Sequence, residues 1–394
     1  MKPHTDLRLL DTPFGAQIRD ACEVHQWDQW KGFLAPVAYE DVELEYFAVR
    51  NATGVFDLSP MTKYRIRGPD ARAFLNRVMT RNVRKLAPGR VGYTVWCNDA
   101  GMVLDDGTLF HLADGEYRLC AQERSLDWLQ WSALGLDVAI ADETADVAAL
   151  AVQGPTSCAA LRAMGLDGLE RLKPFGLTRF PFDGGELLVS RTGFTGDLGY
   201  ELWVAPHHAE ALWDALFDAG RDHLIRPMGT AALELARIEA GFIQAGVDFV
   251  PAERVLRHGR GRSPFELGLG WLVDFGKGHF TGRNALLEEM EQGSRYRFAR
   301  LDVEGNKPAE DSFILDRSGK VVGHVTSAAW CPTAKRNLAL ASLEMPWGRA
   351  GDELFAEIYY SRELHWTRLE TRCTVMKGPA WDPPRRRQTP PANF

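Results

Sequence analysis

From Arg295 to Val375 the chain reads as six short runs of strand-forming residues separated by turns: RFARLDV, SFILD, KVVGHVTS, LALASLE, ELFAEIYY and TRLETRCTV. A row of short antiparallel strands has two unpaired edges, and such edges invite pairing with other chains. Closing the row on itself removes both, so this stretch is expected to form a small antiparallel barrel. After it, the tail KGPAWDPPRRRQTPPANF is rich in proline and basic residues. That is the composition of an extended surface segment that either stays loose or straps onto a neighbour.

The remaining sequence mixes strands and helices. At 394 residues the chain is too long for one ordinary core. KYRIRG (63–68) alternates like a half-buried strand, and PDARAFLNRVM (69–79) follows as a helix with Pro69 at its first position. GYTVWCNDAGMVLDDGTLFHL (92–112) reads as two strands joined at Asn98–Gly101. A strand at EYRLCAQ, a helix at RSLDWLQWSAL, a buried strand at VAALAVQGP and a helix at TSCAALRAMG come next. ELLVSRT and YELWV then flank the turn GFTGDLG, and the helices HAEALWDALFDAG and TAALELARIEAG each stop at a glycine. The helix TGRNALLEEMEQG (281–293) closes this part. The order suggests an α+β layer rather than a doubly wound nucleotide fold. It gives a region over 1–290, a barrel over 291–377 and a tail over 378–394.

Composition excludes several classes of function. The formal net charge of -7 argues against a nucleic-acid surface, which needs clustered positive charge. No run of 18 apolar residues is present to span a membrane. The N-terminal stretch lacks the apolar core of a signal peptide, and six cysteines without a CxxC pair read as reduced, mostly buried thiols of a cytoplasmic protein. No phosphate-binding glycine loop, metalloprotease helix or nucleophilic-serine elbow occurs. His207-His208 are sequence neighbours at a helix start and do not face one site, so no metal is expected. RHGRGRSPFELGLG (257–270) reads as a solvated loop, with an anion or carboxylate contact as the alternative.

Two carboxylate features stand out. Asp105 and Asp106 are adjacent in GMVLDDGTLF, so on a strand one faces inward and the other outward. Bounded by Val103, Leu104, Leu109 and Phe110, the inward one would be desolvated and its pKa raised; Asp-Gly is also a common turn pair. Glu201 shares a strand face with Trp203, opposite Tyr200, Leu202 and Val204. A carboxylate beside an aromatic wall suits a flat ligand presenting two N–H donors along one edge, as guanidines, aminopyrimidines and pterins do. An exposed strand glutamate is the alternative.

The segments GVFDLSPMTKYRIRGPDARAFLN (54–76), NDAGMVLDDG (98–107), AVQGP (151–155), RTGFTGDLGYELWV (191–204), ARIEAG (236–241) and TSAAWCPTAKRNLALA (326–341) together resemble the folate-dependent aminomethyltransferase (glycine cleavage T-protein) family. That family also contains tetrahydrofolate-dependent demethylases. The resemblance implies an α+β fold of three domains in a ring around a central folate channel: a split α/β folate domain, a ferredoxin-like domain and a C-terminal antiparallel β-barrel. It implies tetrahydrofolate as cofactor, with Glu201 on the amino edge of the pterin and Asp106 near N5. Tyr93 and Gln122 line the same pocket in relatives, many of which carry asparagine at the latter position. Trp203, Trp330 and Arg362 are further folate-site candidates.

Three departures bear on the reaction. Leu233 stands where the family aminomethyltransferases have an arginine, and Pro60 where their SHM motif has histidine. The segment 251–268 is also several residues longer than theirs. These departures favour the demethylase branch, in which a methyl group on oxygen, sulfur or nitrogen of a small molecule moves to N5. An aminomethyltransferase of the glycine-cleavage type and a non-catalytic folate-binding protein are the alternatives. For an ether substrate the proton donors would be Tyr93 or His258, and one of Arg257, Arg260 or Arg262 would meet a substrate carboxylate. The expected partner is a small-molecule methyl donor, with the chain a monomer or homodimer.

Overall fold

A computed structural model describes residues 9–257 and 259–391. The chain forms two compact units. The first draws on the residues up to Lys63, on Asp142–Ala236 and on those from Pro383; the second comprises Tyr64–Ala141 and Arg237–Asp382. Among the described residues no helix is long and apolar enough to cross a membrane.

The first unit is built on a six-stranded sheet. Its strands run in the order Leu177–Phe182, Gly185–Ser190, Gly199–Val204, Ala148–Gln153, Thr53–Asp57 and Ile225–Pro227. Only the last pairing is parallel. Period-two alternation sends Val55, Leu150, Val152, Leu187, Val189, Tyr200 and Leu202 into one core with Phe14, Leu161, Leu212 and Leu216, contributed in part by the helices Ser157–Ala163 and Ala209–Ala219. The opposite face is different in kind. Across it Ser190 pairs with Glu201, Glu201 with Ala151 and Ala151 with Phe56, while Ala149 pairs with Trp203 and Gly199 with Gln153. Cross-strand partners project from the same side of a sheet. This face therefore carries a few polar and aromatic side chains among glycines and alanines.

The second unit contains a five-stranded sheet in the order Arg90–Cys97, Val103–Ala113, Glu116–Ala121, Thr62–Arg67 and Ala139–Asp142. It packs Tyr64, Ile66, Trp96, Leu109 and Leu119 against Phe74, Leu75 and Val78 of the helix Ala71–Val78. Pro69 does not open that helix: Asp70 is the cap and Ala71 the first helical residue, a shift of the kind that frayed helix ends allow. The turn after Cys97 forms where expected, with Asn98 Oδ1 accepting the Met102 N–H at 3.0 Å and Gly101 at φ +73°.

The six C-terminal runs form a closed barrel, Tyr296–Val303, Arg336–Glu344, Val321–Cys331, Phe313–Leu315, Glu353–Arg362 and His365–Val375. Closure comes from the pairing of Leu301 with Val375. Leu301, Ile314, Val325, Leu343, Leu354, Ile358 and Cys373 fill its interior. All six cysteines of the chain are buried thiols.

Candidate functional site

Glu201 lies on the glycine- and alanine-lined face of the six-stranded sheet, 9% exposed. The neighbouring strand and the turn after it supply two hydroxyls at one oxygen. Thr192 Oγ1 donates to Glu201 Oε2 at 2.5 Å and Ser190 Oγ does so at 3.2 Å. Ser190 Oγ in turn accepts the Trp203 indole N–H at 3.2 Å. Both hydroxyls bond Oε2 alone, which leaves Oε1 as the acceptor for a ligand. Burial raises the pKa of Glu201 to about 7, and the hydroxyls of Thr192 and Ser190 pull against that rise. Such a carboxyl gains from N–H donors, which favour its ionised form.

Gln153 explains the glycines of the turn. Its side chain accepts from Thr195 Oγ1 at 3.0 Å and donates to the carbonyls of Thr192 (3.2 Å) and Tyr200 (3.1 Å). A Cβ at Gly193 or Gly199 would lie 1.9 or 2.2 Å from Gln153 Oε1. The glycines admit the amide, and the amide fixes the turn that delivers Thr192. Ser190, Thr192 and Gln153 escape sequence reasoning, although Ser190 and Thr192 sit two apart in SRT, the spacing that puts strand residues on one face.

In the second unit, Asp105 and Asp106 occupy a strand rather than a turn. Asp105 is fully buried and its two oxygens are taken by backbone: Oδ1 by the Asp106 N–H (2.8 Å), Oδ2 by the Glu123 N–H (2.7 Å). Asp106 faces the other way, partly exposed, and Oδ2 accepts the Tyr93 hydroxyl at 2.6 Å. Burial lifts both carboxyls. Asp105 goes well above the usual range, with Asp106 as the next cause, while Asp106 rises to about 6 against the pull of the Tyr93 hydroxyl. Tyr93 is itself raised, by burial and by Asp106. Asp105 thus anchors the strand, and Asp106 is the group able to exchange a proton near neutrality. Tyr93→Phe should move the acid limb of the rate profile up by about one pH unit, since it removes a bond to the ionised form. A pH series of initial rates checks this.

The other candidates fall out as follows. Gln122 is half-buried directly after the strand Glu116–Ala121, beside the Glu123 N–H that Asp105 holds. Trp203 is buried with its indole committed to Ser190. Trp330 lies on a barrel strand, 40% exposed, and Arg362 ends another, paired with His365. His258 lies outside the described residues. Of the loop arginines, Arg257 and Arg260 are exposed. Arg262 is not solvated. It is buried against the Tyr296 ring at 3.8 Å, donates to Ser342 Oγ (3.0 Å) and bonds the carbonyls of Gly259 and Gly261. Those bonds engage its Nε and Nη1. Leu233 is partly exposed on the helix Thr230–Glu239. Pro60 is buried and lines a cavity of about 10 Å³ with Tyr39, Phe56, Asp57 and Met228, room for a single water.

The arrangement is suited to a flat, donor-edged ligand on the Glu201 face and to proton exchange at Asp106. Two family profiles match the chain: the GCVT N-terminal domain over residues 16–277 and the glycine cleavage T-protein C-terminal barrel domain over 297–380. The aminomethyltransferase of Caldanaerobacter subterraneus subsp. tengcongensis is 32% identical over 82% of this chain and 85% of its own length. That of Desulforamulus reducens is 32% identical over 83% and 88%. A crystal structure of glycine cleavage system aminomethyltransferase T from Bartonella henselae has the same fold, with a TM-score of 0.84 at 24% identity over 97% of this chain and all of that one.

Proposed function

Because the chain belongs to the glycine cleavage T-protein family, whose one-carbon transferases use tetrahydrofolate, we propose that it is a tetrahydrofolate-dependent demethylase. It would take a methyl group from a small O-, S- or N-methyl compound, and it would act in the cytoplasm. The observation that carries this finer reading is the pair Leu233 and Pro60. Neither can supply the cation or the imidazole that the aminomethyltransferases of the family place there.

The residues fit the folate. An open Oε1 on Glu201, with Oε2 anchored by two hydroxyls, offers an acceptor to the N–H edge of an aminopyrimidine. When bound, tetrahydrofolate supplies N5 as the methyl acceptor. Glu201 would hold the ring by its edge. Asp106, ionised above pH about 6, would stabilise positive charge at N5 and accept its proton. Tyr93 donates to Asp106 Oδ2 and would pass that proton on. The balance depends on the leaving group: the methyl–heteroatom bond would break and a methyl–N5 bond form, and the N5 proton would end on an alkoxide or phenoxide oxygen, or pass by way of Asp106 to solvent where a neutral thioether or amine departs. A sulfonium or ammonium group departs neutral without help, whereas an alkoxide or phenoxide needs that proton. Alignment supplies much of the rate, on the order of 7–11 kcal/mol for well-oriented reactants.

The second reading is an aminomethyltransferase of the glycine-cleavage type. It is favoured by the activity for which the relatives are named, and it predicts dependence on a lipoylated carrier protein with release of ammonia. One experiment separates the two. The enzyme is incubated with tetrahydrofolate and a panel of O-, S- and N-methyl compounds, and 5-methyltetrahydrofolate is read by mass spectrometry. Product from at least one panel member without carrier is the expected result. Silence across the panel, with activity on an aminomethyl-lipoyl carrier, would reverse the assignment.

A further inference from the structure

The last described residues, Pro383–Pro391, belong to the same compact unit as Glu201, and no step above uses them. Asp197 lies in the turn that also carries Thr192. It is 5% exposed and receives Arg385 by two bonds, Nε to Oδ1 at 2.7 Å and Nη2 to Oδ2 at 2.8 Å. Arg385 Nη2 also donates to the Arg50 carbonyl at 3.0 Å. Arg50 Nη1 stands 4.0 Å from Asp197 Oδ2 and donates to the Thr195 carbonyl at 2.9 Å. At the other end of the turn, Arg191 donates to the Leu172 carbonyl (2.8 Å) and to the carbonyls of Arg386 (3.4 Å) and Gln388. Both ends of the turn are thus tied to the C-terminal segment.

The turn needs such ties. It holds Gly193 and Gly196, the latter at φ +75°, with Gly199 directly after it, and glycine leaves a backbone many alternatives. Removing Arg385, itself partly exposed, takes a two-pronged partner from the buried Asp197 carboxylate and leaves Arg50 at 4.0 Å, so the turn that carries Asp197 is held less firmly. The side chain delivered by this turn is Thr192, whose hydroxyl is the closest contact of Glu201 Oε2.

We propose that the C-terminal segment is a positioning clamp for Glu201. Arg385 acts through Asp197, and the carbonyls of Arg386 and Gln388 act through Arg191. Together they hold the 191–198 turn so that Thr192 stays on Oε2 and Oε1 stays open to the folate edge. The clamp rests on the reading of Glu201 as the folate-edge acceptor.

The test uses the full chain and tetrahydrofolate under anaerobic conditions, with Kd from calorimetry, kcat at saturating folate, and Tm. Arg385→Ala should raise Kd about tenfold with kcat unchanged, and Arg385→Lys, which keeps the charge but not the fork, should recover part of the loss. In a Thr192→Val background Arg385→Ala should add little, because both act on the same contact. An Arg385→Ala protein that melts lower yet binds within twofold of wild type, while Glu201→Gln weakens binding, overturns the clamp and leaves the folate reading standing. Unchanged binding in Glu201→Gln overturns the folate reading, and the clamp falls with it.

Discussion

Asp106→Asn is expected to lower kcat by roughly 10²- to 10⁴-fold while the Kd for tetrahydrofolate stays within about threefold of wild type. The substitution keeps the shape of the side chain and the possibility of a bond to Tyr93, and removes only the negative charge and the basic oxygen. Single-turnover formation of 5-methyltetrahydrofolate measures the first quantity, and calorimetry the second. Burial lifts Asp106 to about 6, so in the wild type the rate should climb through that pH and level off above it. The asparagine variant should lose that limb. Stability should move in the opposite sense. A carboxyl whose folded pKa is raised holds its proton more tightly folded than unfolded, so stability falls as pH rises from the ordinary carboxylate range to about 6. Asp106→Asn should therefore melt no lower than wild type at pH 7. A variant with wild-type turnover would remove Asp106 from the reaction.

Glu201→Gln should weaken tetrahydrofolate binding by about 10²-fold and leave kcat at saturating folate nearly unchanged. An amide nitrogen in place of the open oxygen sets a donor against a donor, so that bond is lost and the contact becomes repulsive. Because burial raises Glu201 to about 7 and N–H donors favour the anion, wild-type affinity should fall as pH drops below about 7. The glutamine variant should show no such fall. Calorimetric titrations at pH 6 and pH 8 decide it, and proton uptake or release measured in two buffers reports the same linkage.

The C-terminal barrel was legible because its strands alternate with period two and turns separate them, and all six runs became strands in one closed sheet. The strand character of Glu201 and its shared face with Trp203 follow from the same periodicity. Its hydroxyl partners do not. Ser190 and Thr192 meet Oε2 only because the hairpin register pairs Ser190 with Glu201, and a turn of eight residues does not announce its register. The Asp105–Asp106 pair was readable as one buried and one reachable carboxyl, yet the backbone amide that occupies Asp105 Oδ2 comes from Glu123, eighteen positions on. Arg262 illustrates the opposite failure. Local composition marks it as solvated, whereas the Tyr296 ring and Ser342, distant in sequence, enclose it. Charged side chains are assigned to solvent by default, and only tertiary neighbours reverse that.

The composition of the first unit from three separated stretches has a consequence for biosynthesis. The strands of the Glu201 hairpin are translated well before Arg385, Arg386 and Gln388. During synthesis the turn can therefore pair its strands while Asp197 still lacks the fork of Arg385. The ligand edge would be finished only once residues 383–388 have emerged from the ribosome. A protein arrested before residue 383 would have a folded hairpin with an unready site.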